Sequence, residues 1–105
     1  MPQFTRAQAE ALLPSARPLV EDLQRRVAAY RRRPTDPVAR EIEALIREIA
    51  ELGAELKDPD RGLIDFRSVM RGREVYLCWK LGEGDRIAFW HDLETGFAGR
   101  KIIED

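Results

Sequence analysis

The feature that most constrains this chain is a change in the spacing of its apolar residues between Lys57 and Gly62. Before that point they recur at steps of three and four, which puts one stripe on one face of a helix. After it they fall in short runs bounded by turn residues, the pattern of strands. A chain of 105 residues that switches once from the first pattern to the second is α+β, with its helices first. We expect one domain over 1–105: an N-terminal antiparallel helical hairpin over about 5–57, packed on one face of an antiparallel sheet of about three or four strands over about 62–104.

Thr5 followed by Gln8 has the form of a capping box and opens the first helix. Its stripe is Leu12, Leu13, Ala16, Leu19, Val20, Leu23, Val27 and Tyr30. Pro14 and Pro18 interrupt it, and each removes a backbone donor and crowds the preceding turn. The expectation is a short helix near 6–13, a bend, and a longer helix to about Arg33. A break follows at Arg33-Pro34-Thr35-Asp36-Pro37, where Thr35 or Asp36 caps a second helix and Pro37 suits its first position. That helix carries Ile42, Leu45, Ile46, Ile49, Leu52 and Leu56 on one side and charges on the other.

Three runs read as strands, Leu63–Ser68, Glu74–Lys80 and Arg86–His91, with a further one near Arg100–Ile103. Two-residue turns at Arg71-Gly72 and Glu83-Gly84 place Asp65 opposite Cys78, Cys78 opposite Phe89, and Tyr76 opposite His91. In that register Ile64, Phe66, Val75, Leu77, Trp79, Ala88 and Trp90 share an apolar face for the helices. Leu63, Asp65, Arg67, Tyr76, Cys78, Lys80, Ile87, Phe89 and His91 share the other.

Composition argues against several functions. Lys and Arg (18) nearly balance Asp and Glu (19), so no overall field draws the protein to nucleic acid. No apolar stretch approaches the roughly 18 residues of a membrane span, and Met1–Thr5 lacks a signal pattern. Cys78 is the single cysteine and forms no internal disulfide, which suits a cytoplasmic setting. The one basic cluster, Arg25, Arg26, Arg31, Arg32 and Arg33, offers a third reading, an RNA-associated protein, but it sits toward a helix C-terminus, where the dipole favours cations, and reads first as a solvated face. Trp79 and Trp90 fall on the apolar face and read as core rather than as stacking platforms for bases.

The second face holds the residues with chemistry. Asp65, Tyr76, Cys78 and His91 lie on neighbouring strands, and a Cys–His pair beside a carboxylate is a nucleophile–base arrangement or a set of metal ligands. Against a metal stands the lack of closely spaced ligand pairs, so no cofactor is expected, and Asp65, Cys78 and His91 are the ligands if one exists. Glu83 reads as a turn residue, and the His91-Asp92 pair as a self-oriented imidazole or a strand-end histidine. Gly96-Phe97-Ala98-Gly99-Arg100 offers flexible backbone and a fixed charge without the spacing of a phosphate-binding loop.

The strings Gly62-Leu63-Ile64-Asp65-Phe66, Val75–Glu83, Trp90-His91-Asp92 and Gly96–Arg100, with Phe4-Thr5, Leu12-Leu13-Pro14 and Leu56-Lys57-Asp58-Pro59, resemble an uncharacterised prokaryotic family. It is catalogued as domain of unknown function 2203. The resemblance implies that Asp65, Cys78, Trp79, Glu83, Trp90, His91 and Arg100 belong to a family signature, and it supplies no mechanism. The reading from size is a cytosolic binding or interaction domain. A hairpin covers one sheet face only, so Tyr76, Ile87 and Phe89 on the other are expected to form a homodimer interface. The rival reading is an enzyme, or a metal- or anion-binding protein, that uses Asp65, Cys78, Glu83, His91 and Arg100. Any small-molecule ligand is left open.

Overall fold

The structure is a computed structural model, and it describes residues 3–104. Helix α1 spans Arg6–Arg32 and α2 spans Asp36–Glu51. The strands β1 (Glu55–Asp58), β2 (Leu63–Met70), β3 (Arg73–Lys80), β4 (Phe89–Asp92) and β5 (Lys101–Ile102) follow, with a 3-10 turn at Phe97–Gly99. The five strands form one antiparallel meander in the order β1-β2-β3-β4-β5. The α+β class and the hairpin-then-sheet order are as expected, with one strand more than the upper expectation.

The helix starts follow local chemistry. The Thr5 hydroxyl accepts from the Gln8 amide at 3.1 Å, and the Thr5 amide donates to the Gln8 side chain at 2.9 Å. Thr35 caps α2 by accepting from Val38 N. The expected bend in the first helix is absent: α1 runs unbroken through Pro14 and Pro18. Both prolines are exposed, whereas Ala9, Leu13, Ala16, Val20 and Leu23 are buried in one continuous stripe. The ladder bonds lost to proline fall on the solvent side, where water replaces them, and the packed stripe holds the helix together across the gap.

The second helix ends earlier than its periodicity suggests. Gly53 takes φ +98 just past the C-cap Leu52, a left-handed stop that a side chain disfavours. An added Cβ there would lie 2.3 Å from the Phe4 ring. Leu56 therefore belongs to edge strand β1, paired with Ile64, rather than to the helix.

The Arg71-Gly72 turn is as expected, with both residues at positive φ (53 and 78), the geometry of a two-residue hairpin turn. The next turn is wider. The expected register survives, Cys78 opposite Phe89 and Tyr76 opposite His91, but β4 begins only at Phe89. Ile87 turns instead toward α1: its amide donates to Glu10 Oε2 at 2.7 Å and its carbonyl accepts from Arg6 Nε at 2.8 Å. Its side chain is fully buried in the core beside Leu77 and Trp79. That core lies between the hairpin and one sheet face. No helix of the described residues is long and apolar enough to cross a membrane.

Candidate functional site

The site is built on the sheet face that the helices leave alone. The tight β2–β3 turn fixes the pairing Asp65 with Cys78, and the β3–β4 pairing sets His91 beside Tyr76. Strand alternation then sends Asp65, Cys78 and His91 to one side from three adjacent strands. Cys78 is short, which leaves room for His91 on β4 to reach over β3 to Asp65 on β2. His91 Nε2 lies 2.9 Å from Asp65 Oδ2. The donor atoms of Asp65, Cys78 and His91 all lie within 4.8 Å of one another, and all three residues are buried.

Hydrogen-bond logic fixes the protons of this cluster. His91 Nδ1 is 2.7 Å from the carbonyl oxygen of Asp92, which can only accept, so Nδ1 carries a hydrogen. The imidazole of His91 is thus oriented by a backbone carbonyl, while the Asp92 carboxylate is paired with Arg73. In the metal-free protein Nε2 and Asp65 Oδ2 share one proton, since two lone pairs facing each other at that distance would repel. Asp65 Oδ1 is buried and has no hydrogen-bond partner. Burial pushes the Asp65 carboxyl above its ordinary value, against the opposing pull of His91. Burial, with the Asp65 charge adding to it, pushes the Cys78 thiol up to about 12. Burial and the Asp65 charge thus favour the neutral thiol of Cys78 over the thiolate.

The two other expected site residues meet beside the cluster. Arg100 forms a two-pronged ion pair with Glu83, at 3.1 and 2.6 Å, and its Nη1 lies 3.7 Å from Cys78 Sγ. Glu83 is more than a solvated turn residue, because its Oε1 also accepts from Lys80 N at 3.0 Å. The Arg100 guanidinium lies 3.8 Å from the centre of the Phe89 ring and 4.6 Å from that of Phe97. Burial works against its charge, yet the Glu83 hydrogen bonds raise its pKa on balance. Gly96–Arg100 is thus a strap folded over the polar face, and its cation is already partnered.

The three residues expected at a homodimer interface do not form an open patch. Tyr76 and Ile87 are buried within the chain itself, Tyr76 on the polar face and Ile87 in the core. Phe89 is half-buried under Arg100. Of the three, Phe89 lies under the strap, whereas Tyr76 packs against Lys57 and Arg67, and Ile87 is held against α1. Trp79 is fully buried, with its indole N–H donating to Gly84 O at 3.0 Å, so it is core as expected. In the basic cluster Arg25 and Arg26 pair with Asp22, Arg26 also with Glu41, and Arg31 with Asp60.

Several neighbours of the site were not legible as such. Tyr76 donates to Glu55 Oε1 at 2.8 Å, and Lys57 Nζ sits 4.5 Å from the centre of the Tyr76 ring. Burial opposes the Glu55 charge, but hydrogen bonds from Tyr76 and Lys57 outweigh it and lower its pKa. Glu55 and Lys57 were expected in the helix end and a turn, so nothing pointed to the polar face. The stop at Gly53 is the signal that moves them to a strand. A cleft of about 320 Å³ opens beside them onto Asp65 and His91, walled by Leu63, Leu93 and Phe97.

Neither a curated protein nor a solved structure matches the chain. One family profile does, described as an uncharacterized conserved protein (DUF2203), and it covers residues 28–103, with Asp65, Cys78, Glu83, His91 and Arg100 inside it. The chain belongs to that family.

Proposed function

We propose that this protein binds a divalent transition metal of the zinc class through Asp65 Oδ1 or Oδ2, Cys78 Sγ and His91 Nε2. The observation that carries this reading is the convergence of three different donor atoms within 4.8 Å in a buried cluster, one of whose oxygens has no partner. A thiolate, an imidazole and a carboxylate are the ligand types zinc prefers. A tetrahedral centre with bonds of about 2.0–2.3 Å holds its ligands roughly 3.3–3.8 Å apart, so closure needs side-chain shifts of about an ångström. The His91 Nδ1–H bond to a backbone carbonyl is the outer contact that metal-bound histidines commonly make, and it directs Nε2 inward. Arg100, 3.7 Å from the sulfur, supplies a donor for a thiolate. A polar cluster held so deep for structure alone is the poorer explanation. A buried carboxyl without full hydrogen bonding costs stability that apolar residues of similar size would not.

Native mass spectrometry of the protein with one equivalent of zinc tests the proposal. One ion per chain is expected in the wild type, and its loss in both Cys78→Ser and Asp65→Asn, with circular dichroism confirming that each variant is folded. No retained ion in the wild type, or equal retention in both folded variants, would overturn it.

A further inference from the structure

The surroundings of the cluster are unequal on its two sides. Toward Cys78 the site is closed, because Arg100 is clamped by Glu83 and lies on the Phe89 ring. Toward Asp65 and His91 it opens: both line the cleft of about 320 Å³, and Cys78 does not. A centre with three protein ligands has at least one further coordination position, and the cleft lined by Asp65 and His91 is the side of the cluster that Arg100 does not close. We infer, resting on the metal reading above, that this position takes a small monocarboxylate from solution, with Lys57 as the cation that meets it.

Charge and shape select this class. A divalent metal with the Cys78 thiolate and the Asp65 carboxylate is close to neutral, so an anion at the fourth position needs a further positive charge. Lys57 lines the cleft and pairs with Glu55 Oε1 at 3.1 Å. That oxygen already accepts from the Tyr76 hydroxyl, so the ammonium can be shared with an incoming anion without leaving Glu55 unpartnered. The other cleft cation, Arg61, is paired with Asp58 and stacked on Phe97. Asp58 and Glu94 also line the cleft, which disfavours a second negative charge and hence a phosphate ester. Leu63, Leu93 and Phe97 offer apolar wall to a short carbon chain. The volume is at the small end of ligand pockets, which run from roughly 300 to 1,000 Å³.

Cobalt(II) is the probe, since its visible bands report coordination. The cobalt-loaded protein is titrated with acetate and then butyrate, and the titration is repeated with Lys57→Gln. Saturable spectral changes are expected, tighter for butyrate, with the apparent affinity for either roughly fivefold to tenfold weaker in Lys57→Gln and cobalt affinity unchanged. Failure of cobalt to bind would overturn the metal reading itself. Cobalt bound with a spectrum that neither anion alters would leave that reading standing and overturn this inference. Equal anion affinity in Lys57→Gln would remove Lys57 from the site.

Discussion

His91 is held by two partners of different kinds, and the difference decides what the cluster can do. The Asp92 carbonyl takes the Nδ1 hydrogen permanently, whereas the proton between Nε2 and Asp65 can be displaced. Asp65 is the residue at which the proposed metal binding and stability conflict. Its carboxyl value is raised above the ordinary 3.8 by burial, so the folded state keeps the proton to higher pH than the unfolded chain does. Stability linked to this group is full below that unfolded value and is lost as pH rises through the raised folded one. Asp65→Asn keeps a donor to Nε2 through its amide and cannot ionise. In the metal-free protein we expect it to gain about 1 kcal/mol at neutral pH relative to wild type, with the gain shrinking as pH falls toward 4. Urea unfolding across that range checks this; a variant less stable than wild type at neutral pH would contradict it.

At the scale of elements, the sequence was legible wherever local chemistry and packing agree. The capping box at Thr5, the cap at Thr35 and the Arg71-Gly72 turn are local signals, and each stands in the structure. The errors arose where tertiary contacts override a local rule. Two prolines failed to break α1 because the buried stripe spans them, and Ile87 left its strand because Glu10 and Arg6 bond its backbone. Gly53 was a readable helix stop that the continuing period of Leu52 and Leu56 obscured. Gly62 shows how tightly the β1–β2 turn is seated. It has φ +62, and an added Cβ would lie 2.5 Å from Leu81 Cγ and 3.0 Å from Val20 Cγ1. Gly62→Ala should therefore destabilise by about 2–3 kcal/mol, combining backbone strain with overpacking. Gly72→Ala, at φ +78 with nothing within 4 Å of its Cβ, should cost only about 1 kcal/mol. Thermal or urea unfolding of the pair checks this, and equal losses would contradict the packing argument.

The whole molecule is elongated, 46 × 24 × 24 Å, because the 27-residue α1 outruns the sheet it covers. One sheet face is covered by the hairpin, and the strap that ends at Arg100 closes the Cys78 side of the other. The register that aligns Asp65, Cys78 and His91 could be read from turn lengths and alternation. The strap over them could not, because Phe97 and Arg100 form no periodic pattern and their partners, Arg61, Glu83 and Phe89, are remote in sequence. Without it the polar face looked open; with it, Asp65, Cys78 and His91 lie buried beside a cleft. The most direct test is calorimetric titration of zinc into the protein at neutral pH in buffers of different ionisation enthalpy, which counts the protons released. Binding at one site with about two protons displaced is predicted, one from the Cys78 thiol and one from the proton shared by Asp65 and His91. Absence of binding, or binding that releases no protons, would contradict a centre formed by Asp65, Cys78 and His91.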